Sequence, residues 1–156
     1  MTYYIDSNSF RVLESYYPSR FPSFWKAFDA AAAEGGIASV SEVHKEVERG
    51  AAAEFILEWI ASNRDFFRQP NEDELAALAR IFAVSHFQGL VGHKAILRGT
   101  PVADPFLIAA AMVNNGTVVT EERAKPNSAK IPNVCEHFGI PCLNLEDMLT
   151  AMDWRF

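Results

Sequence analysis

Thr2-Tyr3-Tyr4-Ile5 is an aromatic and β-branched run that breaks at once into the polar residues Asp6-Ser7-Asn8. A short β-prone run bounded by turn residues reads as a strand. Its carboxyl end falls at Asp6. In open α/β sheets, ligands sit beyond the carboxyl ends of the strands. An acid in that place is therefore a candidate for function, provided the rest of the chain supplies such a sheet.

Three more segments read as strands: Ile37–Val40, Thr117–Thr120 and Ile140–Leu143. Helical patterns lie between them. Phe21, Phe24, Trp25 and Phe28 recur at i, i+3, i+4 and i+7, Ala30–Ala33 extends that helix, and Gly35-Gly36 ends it. Val43 and Val47 share a helical face before a break at Gly50. Phe55, Ile56, Trp59 and Ile60 form another stripe. Asn71 and Glu74 have the spacing of a capping box, with Leu75, Leu78 and Phe82 as the inward face of the helix that follows. Asp104-Pro105 opens a helix through Phe106–Val113, which stops at Asn114-Asn115-Gly116. Pro132–Phe138 reads as a short helix closed by Gly139, and Asn144 caps a last helix that ends before Trp154. Tyr16–Phe21, with Pro18, reads as a loop. Ser85–Pro101, with Gly89, Gly92 and Gly99, reads as a partly helical connection. Strands alternating with helices imply parallel pairing and right-handed crossovers. The expected fold is a single α/β domain over residues 1–156, three layers α/β/α around a mostly parallel sheet of about four or five strands.

Composition narrows the class. The chain has 156 residues, of which 49% are apolar and 22% charged, values that exclude disorder and low complexity. The longest apolar runs, such as Phe106–Val113, fall far short of the ~20 residues needed to span a bilayer. The opening Met1–Asp6 has no basic region and no long apolar stretch, so it is not a signal peptide, and a cytoplasmic location is expected. Cys135 and Cys142 fit no zinc spacing and read as reduced core residues. The net charge of −6 excludes a generally basic nucleic-acid surface, so a nucleic-acid role must come from a site. No dinucleotide or P-loop glycine motif is present, His44, His86, His93 and His137 make no metal-spaced set, and no Ser/His/Asp or Cys/His motif stands out.

Acidic residues follow or flank the strand ends. Asp6 ends the first strand, Glu46 lies one helical turn beyond Glu42 after the second, Asp104 opens the helix before the third, and Glu121 and Glu122 follow it. Each also has an ordinary reading. Asp104 can serve as a helix cap, Glu42 and Glu46 as solvated helix charges, and Glu121 and Glu122 as loop carboxylates. Gathered at one edge, these groups repel one another and resist desolvation. A divalent cation relieves both costs, and all-oxygen ligands favour Mg²⁺ or Mn²⁺. The expected chemistry is metal-assisted cleavage of a phosphodiester.

At these residues the sequence resembles the PIN-domain nucleases. Tyr4-Ile5-Asp6-Ser7-Asn8 is similar to their first-strand signature. Ser39–Glu46 is similar to the segment in which a strand leads into the helix bearing the second acid, and Val43-x-x-Glu46 makes Glu46 the better match than Glu42. Asp104-Pro105-Phe106-Leu107-Ile108-Ala109-Ala110 is close to the third acidic segment, and Val118-Val119-Thr120-Glu121-Glu122 resembles the last. The order agrees over nearly the whole chain. The resemblance implies a Mg²⁺- or Mn²⁺-dependent ribonuclease, with the toxins of type II toxin–antitoxin systems, the VapC-like group, as its small single-domain members. RNA would be the substrate, a cognate antitoxin the partner, and a homodimer a common state.

On that resemblance Asp6, Glu46 and Asp104 bind the metal, and Glu122 completes the site directly or through water. Ser7 and Thr120 orient carboxylates or waters, Asn8 contacts a phosphate or fixes the turn, and hydrolysis leaves a 5′-phosphate and a 3′-hydroxyl. The chain departs from the pattern in having Glu rather than Asp as the last acid, with Glu121 competing for the place. Its first half is longer than in the shortest toxins, and Ser85–Pro101 matches nothing in the pattern. Arg11, Lys45, Arg49, Lys94, Arg98, Arg123, Lys125 and Lys130 are candidates for a substrate rim, with Lys94, Arg123 and Lys125 nearest the site in sequence. The competing functions are a non-catalytic PIN-like module that binds RNA or protein, and a metal-dependent phosphatase. The aromatic clusters around Tyr16-Tyr17 and Phe21–Phe28 read as core, with a dimer or antitoxin groove as the alternative.

Overall fold

The computed structural model describes residues 1–92 and 102–156. His93, Lys94, Arg98 and Gly99 lie outside the described residues, and with them the last part of the Ser85–Pro101 connection. The central strand is β1 (Tyr3–Ile5). It pairs with β2 (Ile37–Val40) on one side, and β3 (Phe67–Arg68) lies beyond β2. On the other side it pairs with β4 (Thr117–Val119), and β5 (Cys142–Leu143) lies beyond β4. Every pairing is parallel, with Tyr3 opposite both Ile37 and Thr117, Ser39 opposite Phe67, and Val118 opposite Cys142. The architecture is α/β, a single five-stranded parallel sheet flanked by helices.

The inner strands show why the sheet forms. All four residues of β2 and all three of β4 are buried, as expected for parallel strands covered on both faces. Ser39 is the polar exception in β2, and its hydroxyl donates to Ile5 O at 2.6 Å. Gly116 leads into β4 where no side chain fits. An added Cβ would lie 2.5 Å from Tyr4 Cε2 and 2.8 Å from Thr2 O.

Among the described residues the helices are α1 (Ser7–Leu13), α2 (Pro22–Glu34), α3 (Ser41–Arg49), α4 (Glu54–Ser62), α5 (Glu72–Ala83), α6 (Asp104–Val113), α7 (Ile131–Phe138) and α8 (Leu145–Ala151). Short 3₁₀ segments cover Arg64–Phe66 and Ser85–Leu90. Helix α6 rests on β1, β2 and β4 and packs against α5 and α7. Its Pro105 and Leu107–Ala111 are all buried, the pattern of a helix enclosed on most sides. Two of the three predicted caps form, whereas Asp104 does not cap α6, whose cap position is Ala103. Asn71 and Glu74 make the reciprocal capping box, and Asn144 Oδ1 accepts from Asp147 N–H at 2.8 Å. The expected glycine ends also hold, since Gly35 and Gly139 close α2 and α7 with φ of +78° and +69°.

Four details differ from the sequence expectation. Helix α1 was not anticipated, because Ser7-Asn8-Ser9 has turn chemistry and the seven-residue helix buries only Ser9, Phe10 and Leu13. Strand β3 is two residues long, too short to show alternation. The inward face of α5 is Glu74, Ala77 and Ile81, with Leu75 exposed, because Glu74 reaches back to Asn71 and also accepts from Asn114 Nδ2 at 3.2 Å. Ile140 belongs to the end of α7 rather than to β5, since its N–H returns to Cys135 O at 2.8 Å.

Most of the aromatic residues form core. Phe24, Trp25 and Phe28 of α2 are buried, and Phe28 meets Trp59 and Phe66, which in turn meet Phe10 and Phe67, with Phe28 and Trp59 rings 5.2 Å apart and Trp59 and Phe66 5.1 Å apart. Trp154 and Phe156 fold back onto Phe24, with centroids at 6.0 and 5.6 Å. Cys135 and Cys142 are free thiols, the first buried and the second half-buried. Among the described residues no helix is long and apolar enough to cross a membrane.

Candidate metal centre

The strand order β3-β2-β1-β4-β5 places the reversal of winding beside β1. A crevice opens at such a switch point, beyond the carboxyl ends of the strands. Asp6 stands there, directly after β1, and its N–H extends the ladder to Val119 O at 2.9 Å. Glu46 comes from the second turn of α3, which starts where β2 ends. Asp104 is the first residue of α6. The helix cap is Ala103, with no side-chain cap hydrogen bond, so the Asp104 carboxylate is not spent on capping its own helix.

One carboxylate oxygen from each of Asp6, Glu46 and Asp104 lies within 4.8 Å of the others. Three segments far apart in sequence thus converge on one point. Asp6 is only 2% exposed, and Glu46 and Asp104 are half-buried. Among the described residues no Lys, Arg or His forms an ion pair with any of the three.

Their chemistry is that of crowded, desolvated acids. Burial pushes Asp6 up to about 6, partly offset by hydrogen bonds from Thr120 and Ser7. Burial and then the charge of Asp6 push Glu46 up to about 7. Asp104 is pushed up to about 8, first by burial, then by the charges of Asp6, Glu122 and Glu46. Lys130, at the start of α7, acts against this on Asp104. A hard divalent cation fits the set: three oxygen donors, negative in sum, preorganised and, among the described residues, in no ion pair.

The residues around the triad hold it in shape. Thr120 Oγ1 donates to Asp6 Oδ2 at 2.9 Å and accepts from the Glu122 N–H at 3.2 Å. Ser7 N–H donates to Asp6 Oδ1 at 2.8 Å, and its hydroxyl donates to Glu46 Oε1 at 3.2 Å. Asn8 joins α1 to the end of β4, donating to Thr120 Oγ1 at 3.2 Å and accepting from Glu121 N–H at 3.0 Å. Its amide fixes the turn.

The other acids separate. Glu122 stands beside the triad rather than in it. Its charge raises all three members, while its Oε2 accepts from Ile131 N–H at 3.0 Å at the start of α7. Glu121 turns the other way and accepts from Leu145 N–H at 3.1 Å at the start of α8. Glu42 is half-buried rather than solvated; it pairs with Lys45, Nζ to Oε2 at 3.3 Å, and accepts from Ser41 Oγ at 3.3 Å, apart from the triad. Lys94 lies outside the described residues. Arg123 shares a shallow hollow with Glu121, Glu122 and Cys142. The influence of Lys130 on Asp104 was not singled out by sequence distance, because it acts across the gap between two helix starts.

Residues 3–156 match the family described as Domain of unknown function (DUF4411), and the chain belongs to that family. No curated protein matches the chain.

Proposed function

We propose that this member of the DUF4411 family is a Mg²⁺- or Mn²⁺-dependent ribonuclease with a PIN-like site. The observation that carries the reading is the convergence of Asp6, Glu46 and Asp104 within 4.8 Å, without a cationic partner among the described residues. Buried like charges are costly, and a cluster of them is retained where an ion offsets the repulsion. The order and setting of these acids add the resemblance to PIN nucleases.

In this reading Asp6, Glu46 and Asp104 hold the ion. When bound, it lowers the pKa of coordinated water and draws charge from a phosphoryl oxygen. The protein's part is positional. Thr120 and Ser7 keep the Asp6 carboxylate turned toward the cluster, and Ser7 does the same for Glu46. Glu122, fixed by the Ile131 N–H, stands beside the cluster, where its charge acts on all three acids. Lys130 lies on the Asp104 side, where it can meet a phosphate. Hydrolysis leaves a 5′-phosphate and a 3′-hydroxyl.

As a small single-domain ribonuclease the protein would serve as a toxin restrained by an antitoxin, in the cytoplasm. The decisive assay is cleavage of end-labelled RNA with Mn²⁺. Asp6→Asn and Asp104→Asn are each expected to lower the rate by about 10³-fold, the scale of losing one catalytic electrostatic group. Unchanged cleavage in either variant overturns the site. Turnover of small phosphate esters without RNA cleavage makes the protein a phosphatase, and no Mn²⁺ binding at all leaves a non-catalytic module.

A further inference from the structure

Cys135 of α7 and Cys142 of β5 belong to consecutive elements and meet in space. Helix α7 closes at Gly139, and the Ile140 N–H turns back to Cys135 O at 2.8 Å before the chain enters β5. Strand β5 is held in register by β4, with Val118 opposite Cys142, and α7 packs on β5. The two thiols are hydrogen-bonded, Cys135 Sγ–H donating to Cys142 Sγ.

The pair differs in access. Cys135 is fully buried, whereas Cys142 is half-buried and lines a shallow hollow of about 380 Å³ together with Thr120, Glu122 and Arg123. Core packing of a small apolar side chain accounts for Cys135. It does not account for a second thiol that touches the first and faces solvent beside the acids. A reachable thiol backed by another is the arrangement that oxidises reversibly. The hydrogen bond from Cys135 also favours the thiolate on Cys142 and disfavours it on Cys135, so Cys142 is the attacking group. Oxidation here would matter to the neighbouring centre. Thr120 N–H donates to Leu143 O of β5 at 2.9 Å, the start of α7 fixes Glu122, and the charges of Asp6 and Glu122 reach Cys142. A sulfinic or sulfonic acid at Cys142 would add a permanent negative charge to that crowd, and a disulfide adds none.

We propose that Cys135 and Cys142 are a reversible redox pair, in which Cys142 meets hydrogen peroxide from the hollow and Cys135 closes the disulfide behind it. The Cys142 thiolate attacks one peroxide oxygen, the O–O bond breaks, and the departing hydroxide takes up the thiol proton as water, leaving a sulfenic acid. Cys135 Sγ then displaces the sulfenic hydroxyl, which leaves as a second water with the Cys135 proton, and the S–S bond forms. The two thiols give up two electrons and two protons, and the peroxide is reduced to two waters. A small thiol reverses the change by exchange. The inference needs only the fold and stands apart from the ribonuclease reading.

The test is peptide mapping of the full chain after graded hydrogen peroxide, with a chelator present and the remaining thiols alkylated after denaturation. Both cysteines lie on one tryptic peptide, residues 131–155. From the wild type that peptide should appear two hydrogens lighter with neither cysteine alkylated, and dithiothreitol should restore both thiols. Cys135→Ala, which keeps a small apolar side chain, should give a Cys142 sulfenic acid that dimedone traps. Without dimedone it should go on to sulfinic and sulfonic acids that dithiothreitol does not reverse. In Cys142→Ser the buried Cys135 should oxidise at least about tenfold more slowly than Cys142 does in Cys135→Ala, because access governs the rate. The wild-type disulfide is read without any variant, so a Cys135→Ala that fails to fold leaves the test intact. The pair is overturned if both wild-type cysteines stay alkylatable at a dose that consumes an added cysteine peptide. It is equally overturned if wild-type Cys142 runs on to the sulfinic acid, or if the disulfide forms only between chains.

Discussion

Phe28 and Asp6 are almost equally hidden, at 0% and 2% exposure, but they are hidden at different cost. Around Phe28 the neighbours are Phe24, Trp25, Trp59 and Phe66, all apolar, with ring centroids 5.2 to 6.2 Å apart. Around Asp6 the neighbours are other acids, and each raises the proton affinity of the next. Helix α1 joins the two regions. Ser7 at its start donates to Glu46, and Phe10 one turn later packs on Phe66 and Phe67. The aromatic region stabilises the fold by burial and dispersion alone. The acidic region draws on that stability, holding carboxylates in an arrangement they would leave if the scaffold were softer.

The contrast can be broken at its apolar end first. Phe28→Ala is expected to destabilise the protein by about 3–5 kcal/mol, read from the denaturant midpoint, because a fully buried ring leaves a cavity its neighbours fill poorly. A cost below about 1 kcal/mol would mean that the cluster is not the support described.

At the acidic end the sign reverses. The native carboxyls bind protons more tightly than those of the unfolded chain, whose pKa values lie near 4. Their stabilising contribution is therefore full below about pH 4 and is lost as pH rises through about 6, 7 and 8 for Asp6, Glu46 and Asp104. The metal-free protein should melt at progressively lower temperature from pH 5 to pH 8. Asp104→Asn should raise its melting temperature at pH 8 and flatten that slope. Mn²⁺ at about a hundred times its Kd should add ~2.7 kcal/mol to the wild type and little to the variant. A metal-free melting temperature that rises over this range would contradict the crowding of the three acids. The smallest effect belongs to Glu42→Gln. Its partner Lys45 is an exposed i,i+3 neighbour, so stability should change by less than about 0.5 kcal/mol and RNA cleavage not at all. A large loss of cleavage would return Glu42 to the site.

The parts that sequence made legible were those with local causes. Asp6 stands where a strand gives way to a helix, Glu46 in the second turn of the helix that follows a strand, and Asp104 at a helix start, and such boundaries show as changes in hydrophobic period. The capping residues Asn71 and Asn144 and the terminal Gly35 and Gly139 were visible for the same reason. Helix α1 was hidden by its own chemistry, because Ser7 and Asn8 spend their side chains on Glu46, Thr120 and Glu121 and thereby imitate a turn. The roles of Glu121 and Glu122 depend on which helix start each carboxylate meets, Leu145 or Ile131, and no local pattern encodes that choice. The approach of Arg11 to Gly50 is equally non-local.

The three converging acids also set an order in time. Asp6 and Glu46 leave the ribosome long before Asp104, and Thr120, which orients Asp6, follows later still. A growing polypeptide that has not passed β4 lacks a ligand, its brace, or both. Any activity of this centre must therefore wait for synthesis past Thr120 and for the docking of α6.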